Sequence, residues 1–134
     1  MRTHARLWLA LAAATFAGGC AGVVGVHETM ARVYDARPLI PEEWYEDVHL
    51  AMERCTGMSR PYLFVQWFVV PAHGLGKTRE GWEIHGVWSW TSRIYLDQRH
   101  TMNLRTVAHE LLHYITRMGD DHPQFIMWLE ECLP

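Results

Sequence analysis

The sequence has little that would tie it to a polyanion. Twelve lysine and arginine residues stand against fifteen aspartate and glutamate residues, for a formal net charge of −3. No basic stripe runs along the chain, which excludes the usual electrostatic footprint of a nucleic-acid binder. Repeats and low-complexity tracts are absent, which excludes solenoids and arrays. Cysteine is scarce: three residues, at 20, 55 and 132. What is present is apolar. Of 134 residues, 49% are hydrophobic and seven are tryptophan. That composition suits one compact domain with a small core.

The first 26 residues differ from the rest. MRTHAR carries Arg2 and Arg6, LWLALAAATFA (7–17) is an unbroken apolar run, and GGC follows. These are the n-region, h-region and small-residue cleavage zone of an export signal. AGGC at 17–20 resembles a bacterial lipobox, with Ala17 where the usual motif has Leu. The resemblance implies cleavage after residue 19, lipidation of Cys20 and attachment to a membrane through buried acyl chains. Ala at 21 rather than Asp, by resemblance to Gram-negative lipoproteins, favours the outer membrane, facing the periplasm. An ordinary cleaved signal and an uncleaved anchor are the other readings. The domain plan is a signal peptide over 1–19, a lipidated tether over 20–37 and one domain over 38–134. An exported chain would retain ten basic and fifteen acidic residues, and its two cysteines beyond Cys20, Cys55 and Cys132, could bond in an oxidising compartment.

The domain reads as α+β. PEEWYEDVHLAMERCTG (41–57) reads as a helix, with Pro41 and two glutamates in its first turn. Trp44, Val48, Ala51, Met52 and Cys55 recur at three- and four-residue steps as its buried stripe, and Gly57 ends it. YLFVQWFVV (62–70), WEIHGVWSW (82–90) and RIYLD (93–97) read as strands, the last two split by Thr91 and Ser92. About three strands result, in a mostly antiparallel sheet. Trp82, Trp88 and Trp90 alternate and are expected on one core face. TMNLRTVAHELLHYITRMG (101–119) is the clearest helix, with a stripe of Leu104, Val107, Ala108, Leu111, Ile115 and Met118, and Gly119 as its left-handed cap. PQFIMWLEEC (123–132) reads as a short last helix opened by Pro123.

Within the long helix stands HELLH, residues 109–113. At about 100° per residue, His109 and His113 lie roughly 40° apart, one turn above the other. Both imidazoles can reach one ion, and Glu110 comes round beside them to a water on that ion. The same count points the two histidines about 140–180° away from the apolar stripe, toward solvent or a cleft. A catalytic zinc takes three protein ligands and keeps a fourth position open. His122 is the first candidate for the third ligand, past Gly119 and stiffened by Pro123. Asp120, Asp121, Glu130 and Glu131 stay open as alternatives.

HELLHYITRMGDDHPQF (109–125) resembles small zincin-type metallopeptidases, nearest to the SprT-like and minimal-gluzincin group. There a later histidine, a small residue and a phenylalanine complete the site. Here that element is His122-Pro123-Gln124-Phe125, with Pro in place of Gly and a shorter spacing from His113. The resemblance covers roughly 80–132. It implies a zincin-like fold, a Zn²⁺ cofactor held by His109, His113 and His122, Glu110 as general base and a peptide or protein substrate. It also implies that the strand before the active helix, RIYLD, is an edge to which substrate pairs. Tyr95, His100 and Tyr114 are the candidates for an oxyanion donor. His27, His49, His73, His85 and His100 show no ligand spacing and read as surface or hydrogen-bonded residues, His73 being the one nearest a glycine-rich loop. A zinc-binding envelope lipoprotein without catalysis and an interaction module of an envelope complex are the competing readings.

Overall fold

A computed structural model describes residues 34–134. The export signal, Cys20 and residues 20–33 of the expected tether lie outside the described residues. The remainder of that tether belongs to the fold. Tyr34 packs on Tyr95, with ring centres 6.3 Å apart, and Arg37 pairs with Val69. No helix among the described residues is long and apolar enough to cross a membrane.

The described residues are α+β, with three α-helices and a four-stranded mixed sheet. In chain order the elements are β1 (Arg37–Pro38), α1 (Trp44–Thr56), β2 (Gln66–Val70), β3 (Gly86–Ser89), β4 (Arg93–Asp97), α2 (Leu104–Thr116) and α3 (Pro123–Glu131). The strands lie in the order β1-β2-β4-β3. The outer pairs are antiparallel, whereas β2 and β4 run parallel. The parallel pair departs from a simple meander. The chain leaves β2, runs through 71–85, lays β3 on the far side and turns back to put β4 between them. RIYLD is therefore an interior strand, paired on both sides, and β3 is one of the two edge strands.

Other expectations need correcting. Tyr62–Phe64 forms a 3₁₀ turn rather than strand, because Pro61 removes a donor and β2 starts only where Gln66 meets Arg93. Trp82 and Trp90 lie outside β3 and are 75% and 67% exposed; of the three tryptophans only Trp88 packs against the core.

The main core lies between the helices and one face of the sheet. Tyr45, Val48 and Met52 of α1 meet Val107, Ala108, Leu111 and Ile115 of α2 over Trp67, Ile94 and Leu96. Each of the larger aliphatic side chains among them, fully buried, stabilises by about 1.5–3 kcal/mol. A smaller cluster of Val70, Leu75 and Tyr95 covers the opposite face. Alternation along β4 divides the two: Ile94 and Leu96 face the helices, and Tyr95 faces away. A disulfide joins Cys55 on the last turn of α1 to Cys132 just past α3, so α3 is fastened at its far end to α1.

Candidate metal centre

Helix α2 starts where the Asn103 side chain accepts the Thr106 N–H. It ends two residues earlier than the glycine suggests. The Thr116 hydroxyl donates to the Leu112 carbonyl and accepts the Met118 N–H, and Arg117 takes the left-handed conformation at φ 55°. Gly119 has no positive φ. Turning at Arg117 swings the next residues back over the helix, with His122 N–H closing a turn on the Gly119 carbonyl.

That turn delivers Asp120, not His122, to the two histidines. His109 Nε2 and His113 Nε2 are 3.0 Å apart. Asp120 Oδ1 lies 3.1 Å from the first and 3.2 Å from the second. These three residues form a group that can hold a metal ion. The His122 ring is exposed and spent elsewhere: its Nδ1 accepts the Gln124 N–H and caps α3. Asp121, Glu130 and Glu131 are exposed and lie outside the group.

The donor set fits zinc. Ligand bonds of about 2.0–2.1 Å at tetrahedral angles separate neighbouring donor atoms by about 3.3 Å, close to the triangle observed. His113 Nδ1 lies 2.6 Å from the Met118 carbonyl oxygen. A carbonyl can only accept, so Nδ1 carries a proton, and Nε2 is the atom that would bind an ion once the ion displaces the proton it shares with Asp120. Phe125 of α3 stacks on His113 at 4.1 Å and meets His109 edge-on at 5.7 Å. Trp88 also lies parallel to His113, with ring centres 5.9 Å apart.

Glu110 is buried beneath β3, and its Oε2 has no partner among the described residues. Gly86 makes this possible: a Cβ there would stand 2.6 Å from Glu110 Oε1 and 2.7 Å from its Cγ. Burial pushes the Glu110 pKa up to about 7, with Asp120 adding to the rise and the two imidazoles opposing it. Burial disfavours the charged form of His113, but Asp120, Glu110 and the Met118 carbonyl outweigh it and raise the pKa. Hydrogen bonds with His109 and His113 hold the Asp120 carboxyl well below its ordinary value.

The group opens on a cleft of about 820 Å³ between β3 and α2. Asp97 N–H donates to the His85 carbonyl, so in the antiparallel ladder the backbone groups of Gly86 and Trp88 face away from β4, toward the cleft. Of the three oxyanion candidates only His100 lines this cleft. Tyr95 is buried on the opposite face of the sheet, and the Tyr114 hydroxyl donates to the Pro61 carbonyl. His73 pairs with Glu83 at 3.0 Å, and His49 is buried in the core beside Tyr62 and Tyr114. Sequence reasoning missed the stacking of His85 on His100, ring centres 3.7 Å apart, because no spacing rule links a strand edge to a turn fifteen residues on. No family model, no curated protein and no solved structure matches this chain.

Proposed function

We propose that the protein is a zinc-dependent peptide-bond hydrolase with a zincin-like active site, its third ligand being Asp120. The observation that carries this reading is the convergence of His109 Nε2, His113 Nε2 and Asp120 Oδ1 beside a buried glutamate, on a cleft bordered by the edge strand β3. Two imidazoles and one carboxylate would hold the ion and leave a fourth position toward the cleft. A zinc ion held there would supply Lewis acidity for a water and for the scissile carbonyl. Glu110, with a pKa near 7 and a free oxygen, accepts a proton from the attacking water and passes it to the leaving amine. The Met118 carbonyl fixes the His113 tautomer, and Phe125 and Trp88 hold its plane. An extended substrate pairs with the β3 edge. Lipid anchoring through Cys20 at the envelope is proposed alongside, from the leader sequence alone.

The test is zinc content and peptidase activity of the full chain, wild type beside Asp120→Ala, His122→Ala and Glu110→Gln. Wild type is expected to hold one zinc per chain, weakened in Asp120→Ala and unchanged in His122→Ala. Glu110→Gln is expected to keep zinc and lose hydrolysis. No zinc in the wild type sinks the metal reading; equal hydrolysis with and without Glu110 sinks the peptidase reading.

A further inference from the structure

The two walls of the cleft run side by side in the same direction. Gly86 lies on Glu110, and Trp88, two residues on, lies on His113, three residues on. The cleft therefore has a definite polarity. Its low-numbered end holds His85, His100, Asn103 and Arg105. Its high-numbered end holds Trp88 and Trp90, with ring centres 4.7 Å apart.

The low-numbered end carries an excess of positive charge. Arg105 is exposed and makes no ion pair among the described residues. It sits in the first turn of α2, where the helix dipole disfavours a cation, and that turn contains no acidic residue. It also stands four residues before His109, on the same face as the metal ligands. Of the carboxylates lining the cleft, Glu83 is engaged by Arg99 at 3.1 Å and His73 at 3.0 Å, and Asp120 by His109 and His113 at 3.1 and 3.2 Å. The stacked His85 and His100 add ring N–H donors without adding an anion. At the other end Trp90 is 67% exposed although its neighbour Trp88 is packed. It offers an uncovered aromatic shelf.

We infer that this cleft selects extended peptides that place a carboxylate against Arg105 and the His85–His100 pair, and a large apolar or aromatic side chain against Trp90, on opposite sides of the cleaved bond. The inference rests on the peptide-hydrolysis reading and names the substrate class of that site. From Arg105 to His109 the helix rises about 6 Å, so the carboxylate stands about two residues of extended chain, at roughly 3.3 Å each, from the reacting bond. The carboxylate is an acidic side chain or a free C-terminus; both have the chemistry that a guanidinium pairs with. An acidic preference would run against the chain's net charge of −3, so it would report the local wall and not the overall field.

The test uses the zinc-loaded full chain carrying Glu110→Gln, so that binding is read without turnover. Fluorescent peptides of one length pair Glu, Gln or Lys on one side with Phe or Ser on the other. Each is made with an amidated and with a free C-terminus, and binding is followed by anisotropy. The Glu peptide is expected to bind about tenfold or more tighter than the Lys peptide, the scale of a charge-assisted hydrogen bond. Adding Arg105→Gln should collapse that ratio, and Arg105→Glu should reverse it. The preference for Phe should persist in both and vanish in Trp90→Ser. The amidated arm separates a side-chain carboxylate from a terminal one. A charge ratio near one, a ratio that survives Arg105→Glu, or no binding of any peptide overturns the inference. Cleavage by the wild type without either preference overturns it while leaving the hydrolase reading intact. Selective binding without cleavage does the reverse.

Discussion

Two pairs of histidines share one cleft and are built in opposite ways. His109 and His113 meet edge to edge, their Nε2 atoms 3.0 Å apart, with Asp120 completing the triangle. His85 and His100 lie face to face, 3.7 Å between ring centres and 12° between planes. Stacked rings direct their nitrogens side by side, whereas crossed rings aim them at one point. Histidine proximity alone is therefore no sign of a metal site; convergence of lone pairs is. The first pair also has a carbonyl that fixes a tautomer and a carboxylate that closes the set. The second has neither, and burial together with its partner lowers the His100 pKa.

The comparison breaks most directly at the rings themselves. On the proposed zinc reading, His113→Ala should weaken metal binding by roughly 100-fold or more, since it removes a proposed ligand outright. His85→Ala should leave it within about twofold. Competition against a chromophoric chelator reads both, and equal losses would erase the distinction. The next largest effect is expected at Gly86→Ala. The added methyl would stand 2.6 Å from Glu110 Oε1, so the carboxylate must move. We expect zinc to be retained and hydrolysis to fall by about two orders of magnitude, the cost of a base misplaced by an ångström. Unchanged turnover would mean that Glu110 is not the base.

The smallest effect separates the footings of the two pairs. Burial opposes ionisation of Asp97, but hydrogen bonds from the Arg99 side chain and from the backbone N–H groups of Arg99 and His73 outweigh it and hold the pKa at about 2. The folded value lies below the ordinary 3.8. Its contribution is thus complete above that value and is lost as pH falls toward 2. It amounts to about 2 kcal/mol. Asp97 ties the 71–85 segment, and so His85, to β4. In denaturant melts, Asp97→Asn should lose that stability at neutral pH and flatten the dependence between pH 4 and 2. An acid limb as steep as the wild type's would place the titration elsewhere.

Much of this could be read in the sequence, and the failures are specific. The four-residue step in HELLH fixed the meeting of His109 and His113, since a helix allows little else. The stripe of Val107, Ala108, Leu111 and Ile115 located the core. The sequence pointed to His122 as third donor, whereas the fold groups Asp120 with the two histidines, because the chain's return depends on one non-glycine residue. Arg117 adopts a left-handed conformation that its side chain does not announce, while Gly119, which does announce it, is not used. The sheet edge was misassigned for a related reason. Strand order follows from how 71–85 crosses the sheet, and no periodicity records that path. Trp90 alternates with Trp88 like a core residue yet lies in the turn beyond β3, where alternation no longer sets its side.

The fit of Glu110 beneath Gly86 has a consequence for how the molecule assembles. A hairpin such as β3–β4 can slip by one residue with small loss of backbone hydrogen bonding, and a slip exchanges its two faces. Here a slip would present His85 or Val87 to Glu110, and either side chain would displace the carboxylate further than a methyl group would. Only the native alignment lets Glu110 keep its place beneath β3. The carboxylate proposed to move protons thus also favours one register of the hairpin over its neighbours.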